Sequence, residues 1–223
     1  MTISYDHVLQ YIDHKPKDFA KATEQLHNLL RPWHVKSFRP HLKWAGTIPQ
    51  KYKRDSSEEK LYSKYCDMVV LGFLELNGLS GELTKARGNR ADVEAACGSR
   101  YRLVADAKAF RKSRSALNPK DYKIGELNIW RANAKADYAC LVGSRFPKNK
   151  SRLFREAVAN GVCLLRFTHL DQILAKHDKF SRARLRNLWS LPQSLKRSAT
   201  RTRISSIDGT AYWQAVEDVI NQL

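Results

Sequence analysis

The sequence predicts an α/β fold, with a central mixed β-sheet flanked by helices and helical additions at both ends. Three observations predict it. From Ser56 to Leu76, apolar residues recur at helical spacing. Two runs with strand character, Ala91–Cys97 and Tyr101–Lys108, flank the short loop Gly98-Ser99-Arg100, as in a hairpin. Beyond them, helical and strand patterns alternate, the arrangement that places helices against one sheet.

Taken in order, residues 4–13 and 17–30 read as two short helices, and the basic, aromatic stretch from Arg31 to Trp44 as irregular. That stretch suits either a phosphate backbone or a loop anchored on the core by its tryptophans. Ser56 and Glu59 have capping-box spacing for the long helix, which Asn77-Gly78 ends. Asn118-Pro119 opens a further helix to about Arg131, with a cap residue before a proline. Tyr138–Val142 reads as a strand, Ser151–Ala159 as a helix and Val162–Phe167 as a buried strand. His169–Lys176 and Arg182–Trp189 look helical, Leu195–Arg203 resembles a surface linker, and residues 207–221 form an amphipathic helix. The apolar side chains of this last helix suit a dimer interface or the chain's own core equally. The expected organisation is a helical region 1–55, a core 56–180 and a helical region 181–223, packed as one compact domain.

Composition narrows the partners. The chain has 223 residues, 43% of them hydrophobic, so a packed core is available and global disorder is excluded. Forty Lys and Arg against 22 Asp and Glu give a net charge of +18, which works against compaction unless a polyanion offsets it. Nucleic acid is the expected partner. No stretch approaches the ~20 apolar residues of a spanning helix, and the N-terminus lacks the pattern of a signal peptide. Cys66, Cys97, Cys140 and Cys163 form no CxxC pair, so a zinc site is unsupported and a reducing cytoplasm is expected.

Chemistry concentrates between Asp92 and Lys108. Residues two apart on a strand share a face, so Asp106 and Lys108 project together, as do Asp92 and Glu94. With 98–100 as the loop, Asp92 faces Asp106, Val93 faces Ala105, Ala95 faces Leu103 and Cys97 faces Tyr101. A slip by one residue would break every apolar match. Two facing carboxylates repel unless a proton or cation lies between them. Oxygen ligands without His or Cys favour Mg2+, with Mn2+ able to substitute. The Lys108 ammonium can then orient an attacking water or offset charge on a phosphate. A bare Asp-x-Lys occurs by chance in many strands; the facing acid and the basic chain around it carry the weight here.

The pattern resembles the PD-(D/E)xK nucleases, with Asp92 as the first acid and Asp106-Ala107-Lys108 as the second motif. It resembles more closely the HindIII-type restriction endonucleases. The resemblance rests on Glu59-Lys60-Leu61-Tyr62-Ser63-Lys64, on Arg87-Gly88-Asn89 with Asp92-Val93, and on Leu103 through Lys108. It continues through Phe110-Arg111, Ser113-Arg114, Asn118 and Lys120-Asp121-Tyr122-Lys123, and fades after about residue 175.

The resemblance implies a PD-(D/E)xK core and a homodimer that cuts both strands of a short palindromic duplex with magnesium, paired with a cognate methyltransferase. AAGCTT is the first site to test. Metal would be held by Asp92, Asp106 and the backbone of Ala107, with Lys108 catalytic; Asp121 and Lys123 match further functional positions of the family. The family's glutamate two residues before Arg-Gly-Asn is Lys85 here, so either Glu82 or Glu94 substitutes for it or the position is dispensable. DNA contacts are expected from Arg87, Asn89, Arg111, Arg114, Asn118 and Lys123, with Arg suited to guanine or phosphate and Asn to adenine. Asn118 is equally suited to capping a helix, and Asp121 and Lys123 to a local surface pair. A structure- or lesion-selective repair nuclease and a non-catalytic DNA-binding protein are the alternatives.

Overall fold

A mixed sheet of five strands carries the fold, in the order β2-β3-β4-β6-β7. The computed structural model describes residues 3–84, 90–113, 117–176, 184–202 and 207–223. Within the sheet, β2 is Ser80–Leu83, β3 Val93–Ala96, β4 Arg102–Lys108, β6 Tyr138–Gly143 and β7 Val162–Arg166. β3 runs antiparallel to both β2 and β4, whereas β4, β6 and β7 are parallel. The register of β3 on β4 pairs Val93 with Ala105 and Ala95 with Leu103, as the apolar pattern requires. Cys97 N–H donates to the Tyr101 carbonyl at 2.9 Å, and Gly98 takes the left-handed conformation that turns the chain.

Helix α4 (Ser57–Leu76) packs on β2, β3 and β4. Ser56 caps it by accepting the Glu59 N–H, and every residue from Tyr65 to Leu74 is buried. Such a continuous buried run is a helix enclosed on more than one side. Helices α1 (Tyr5–Asp13), α2 (Phe19–Leu30) and α3 (Val35–Trp44) pack around its outer face. The parallel strands are joined through α5 (Ile124–Asn133) and α6 (Arg152–Asn160), followed by α7 (Phe167–Ala175), α8 (Leu185–Trp189), α9 (Leu191–Thr202) and α10 (Gly209–Asn221).

Several elements depart from the sequence expectation. Residues 35–44 are helix, not irregular chain: Phe38, His41 and Leu42 share a buried face. Pro40 is tolerated because the carbonyl it leaves unpaired, on Lys36, belongs to an exposed residue that water can reach. The expected linker 195–203 lies largely within α9, where Leu191, Leu195 and Ala199 make an inward stripe and Lys196, Arg197 and Arg201 face outward. The expected helix from Pro119 to Arg131 is broken at Lys123, whose φ of 50° separates the 3-10 turn Pro119–Tyr122 from α5. The break lets Tyr122 enter the core, where it stacks on Phe146 at 5.3 Å and donates to the Arg145 carbonyl at 2.8 Å. Of the stretch 182–189, residues 182 and 183 lie outside those described. Helix α10 turns Tyr212, Trp213, Val216 and Ile220 into the chain's own core, and the Tyr212 hydroxyl accepts the Leu164 N–H at 2.7 Å.

A small parallel pair lies beside the main sheet: β1 (Thr47–Ile48) against β5 (Phe110–Arg111). Gly46 makes this approach possible. Its φ is +81°, and a Cβ there would lie 2.6 Å from Phe167 Cε2 and 2.9 Å from Ser144 Cβ. The Gly46 carbonyl accepts the Phe110 N–H at 3.0 Å, so the chain emerging from β4 is held as an arm.

Candidate active site

Alternation along β4 sends Asp106 and Lys108 to one face, and the hairpin register brings Asp92, just before β3, against Asp106. Helix α4 contributes a third acid to the same point, Asp67. One carboxylate oxygen from each of Asp67, Asp92 and Asp106 lies within 4.8 Å of the others. Asp67 and Asp106 are buried and Asp92 half-buried. Asp67 Oδ1 accepts the Ala107 N–H at 3.2 Å, which ties the helix to the residue between the two motif side chains.

Two lysines balance the acids. Lys64, one turn before Asp67 on α4, reaches Asp67 Oδ2 at 3.3 Å and also pairs with Asp92. Lys108 pairs with Asp106 Oδ2. Burial pushes the Asp67 carboxyl well above its ordinary range; Asp92 adds to the shift and Lys64 opposes it. Burial also raises Asp106, against the pull of Lys108. For both lysines burial acts downward, but the surrounding carboxylates outweigh it and the net shift is upward. Both ammonium groups are therefore charged at neutral pH.

This donor set fits a hard divalent cation. It offers three converging carboxylate oxygens without nitrogen or sulfur. The acid triad has the character of a metal-dependent PD-(D/E)xK nuclease centre. A sequence signal for Asp67 exists. It is the single acid within the otherwise uncharged run Tyr65-Cys66-Asp67-Met68-Val69-Val70-Leu71, and a charge on a buried helix face requires a partner.

Other residues singled out from the sequence stand elsewhere. Glu94 sits opposite Val104, one step along the face from Asp92, and its carboxylate is engaged by Arg90 at 2.8 Å and Arg102 at 3.7 Å. Glu82 lies across from Glu94 on β2. Among the described residues the converging acids include neither glutamate; the third acid is Asp67, which α4 brings to Ala107 near the end of β4, whereas β2 lies at the sheet edge. Asn118 accepts the Lys120 N–H at 3.0 Å, and Asp121 accepts the Asn118 N–H at 3.2 Å, so both cap the 3-10 turn. Lys123 pairs with Glu126 at 3.1 Å. Arg111, on β5, lies 2.9 Å from Glu59. Lys85, Arg87, Asn89 and Arg114 lie outside the described residues.

Among the described residues, no helix is long and apolar enough to cross a membrane. The chain is 31% identical over 196 residues to the type II restriction enzyme HindIII of Haemophilus influenzae, an alignment covering 86% of this chain and 64% of that enzyme. It thus spans a little under two-thirds of that relative's length. The similarity is broader than the motifs suggest, since a HindIII restriction endonuclease family model matches residues 6–223, through the C-terminal helices as well as the triad. With fold, acid cluster and sequence match in agreement, the chain belongs to the HindIII restriction endonuclease family.

Proposed function

We propose that the protein is a type II restriction endonuclease that hydrolyses phosphodiester bonds in double-stranded DNA at a short palindromic site. One observation carries this reading: Asp67, Asp92 and Asp106 converge beside Lys108 in a member of this family. Asp92, Asp106 and the Ala107 carbonyl are the proposed ligands of Mg2+, for which Mn2+ can substitute, and Asp67 is a further candidate. Such an ion polarises a phosphoryl oxygen and lowers the pKa of water.

The protein's own groups supply the rest. Lys108, held at Asp106, can orient a water toward phosphorus and offset the charge that develops on the phosphate oxygens. Attack by the water oxygen breaks the bond from phosphorus to the leaving sugar oxygen. The net charge of +18 favours association with DNA, and Arg111, three residues beyond Lys108, is a proposed contact to it. Arg87, Asn89 and Arg114 are proposed as further DNA contacts. Asn118, Asp121 and Lys123 already serve local contacts, so their assignment to DNA or catalysis requires those contacts to be exchanged. A two-fold site calls for a two-fold protein, so the proposed active form is a homodimer, working in the cytoplasm beside a cognate methyltransferase.

The test is digestion of a sequenced plasmid with Mg2+ or with chelator, alongside duplexes carrying AAGCTT. Discrete, Mg2+-dependent fragments with a common end sequence are expected. Nicks or smears would favour a repair nuclease, and salt-sensitive binding without cutting a non-catalytic protein.

A further inference from the structure

The arm that continues β4 borders an open cavity of about 590 Å³, walled in part by Arg54, Glu59, Lys60, Ser63, Phe110 and Arg111. Lys60 and Ser63 precede Lys64 and Asp67 at helical spacing, so cavity and acid triad lie along one stripe of α4. From the other side, Phe110 and Arg111 follow almost directly on Lys108. The cavity therefore adjoins the place where a scissile phosphate would sit.

Arg111 is held unevenly. Its backbone is fixed, because Arg145 Nη1 lies 3.4 Å from the carbonyls of both Arg111 and Lys112 and donates to them, and β5 pairs with β1. Its guanidinium is held by a single ion pair. Nη2 lies 2.9 Å from Glu59 Oε1 without the alignment of a hydrogen bond, and among the described residues the buried Nε has no hydrogen-bond partner. Glu59 is anchored independently, since its other oxygen accepts the Asp55 N–H at 2.5 Å. An arginine held by one poorly aligned ion pair can exchange it for a bidentate contact with a phosphate.

We propose that Glu59 gates Arg111: it parks the guanidinium in the free protein, and a DNA backbone phosphate entering the cavity takes it over. Glu59 thereby competes with every phosphate offered. Any duplex that engages Arg111 must first displace Glu59, so Glu59 raises the threshold for DNA binding as a whole. This inference rests on the nuclease reading above.

The experiment measures binding of a random-sequence duplex and of the plasmid-mapped site, with Ca2+ in place of Mg2+ so that no cutting intervenes. Glu59→Gln keeps an acceptor for the Asp55 N–H while removing the charge. It should tighten binding of both duplexes several-fold. Arg111→Ala should weaken both and reduce the salt slope by about one released counterion. In the Arg111→Ala background, Glu59→Gln should have no further effect. The proposal is overturned if Glu59→Gln leaves random binding unchanged or weaker, or if its effect persists without Arg111. Thermal melts of each variant show whether a loss of binding is a loss of folding. A wild-type protein that cuts while Glu59→Gln behaves like it sinks the gate alone; a wild type that neither cuts nor binds DNA sinks both the gate and the nuclease reading.

Discussion

The Asp67 carboxylate accepts the backbone N–H of Ala107 at 3.2 Å, so a buried helix acid holds the residue that separates Asp106 from Lys108. The same carboxylate joins Asp92 and Asp106 in the acid cluster and meets Lys64 through its other oxygen. Asp67 thus has a positional and an electrostatic role, which substitutions can separate.

Asp67→Asn retains an oxygen for the Ala107 amide but removes the charge. We expect Mg2+-dependent cleavage to fall by about 10–100-fold, the usual range for groups supporting a metal site. Asp67→Leu also removes the acceptor and should cost more. Single-turnover rates at saturating ion measure both; equal rates for Asn and wild type would show that the charge is dispensable.

The same charge destabilises the metal-free protein. Asp67 and Asp106 have folded-state pKa values raised above the ordinary 3.8, chiefly by burial. As pH rises through and above that ordinary value, the unfolded chain releases these protons before the folded one does. Stability contributed by the protonated forms is therefore lost as pH rises toward the folded values. Metal-free Asp67→Asn should melt higher than wild type at neutral pH, with each kcal/mol recovered worth about 2–4 °C for a chain this size. The difference should shrink toward acid. Melts in chelator from acid to neutral pH test it, and a lower-melting variant contradicts it.

Lys64 bridges Asp67 and Asp92 in the manner of a bound cation. Lys64→Met should lower the melting temperature in chelator, because two carboxylates lose their shared ammonium, and should tighten Mn2+ binding several-fold. Calorimetric titration with Mn2+ reads the second effect; weaker binding would show instead that Lys64 organises the site.

Gly46 lets β1 reach β5 at a φ of +81° with Phe167 packed against it. Gly46→Ala should destabilise the fold by about 1–3 kcal/mol through overpacking and conformational strain. A melt within experimental error of wild type would show that Phe167 can yield.

Much of this architecture is legible before any coordinates. The hairpin register follows from Val93, Ala95, Leu103 and Ala105, because only one pairing keeps all four on apolar partners. The same register places Asp92 against Asp106. Strand β2 is not legible, since Ser80-Gly81-Glu82-Leu83 is a short edge strand with a glycine and no apolar alternation. Helix α3 is hidden by Pro40 and its basic residues, and its helical stripe is short. Helix α9 is masked by Ser, Thr and Arg, whose outward positions follow only from its packing on α6 and β7. Asp67 could be suspected as a buried acid, but its meeting with Asp106 depends on how α4 crosses the sheet, a long-range relationship that local patterns do not encode.

If the acid cluster is the site of metal-dependent DNA cleavage, Asp106→Asn should cripple it. The measurement is single-turnover cleavage of the plasmid-mapped duplex by wild type and Asp106→Asn, at equal DNA occupancy measured in Ca2+. Asp106→Asn should be slower by about 10²–10³-fold or more with duplex binding retained. Cleavage by Asp106→Asn at the wild-type rate would place the chemistry elsewhere.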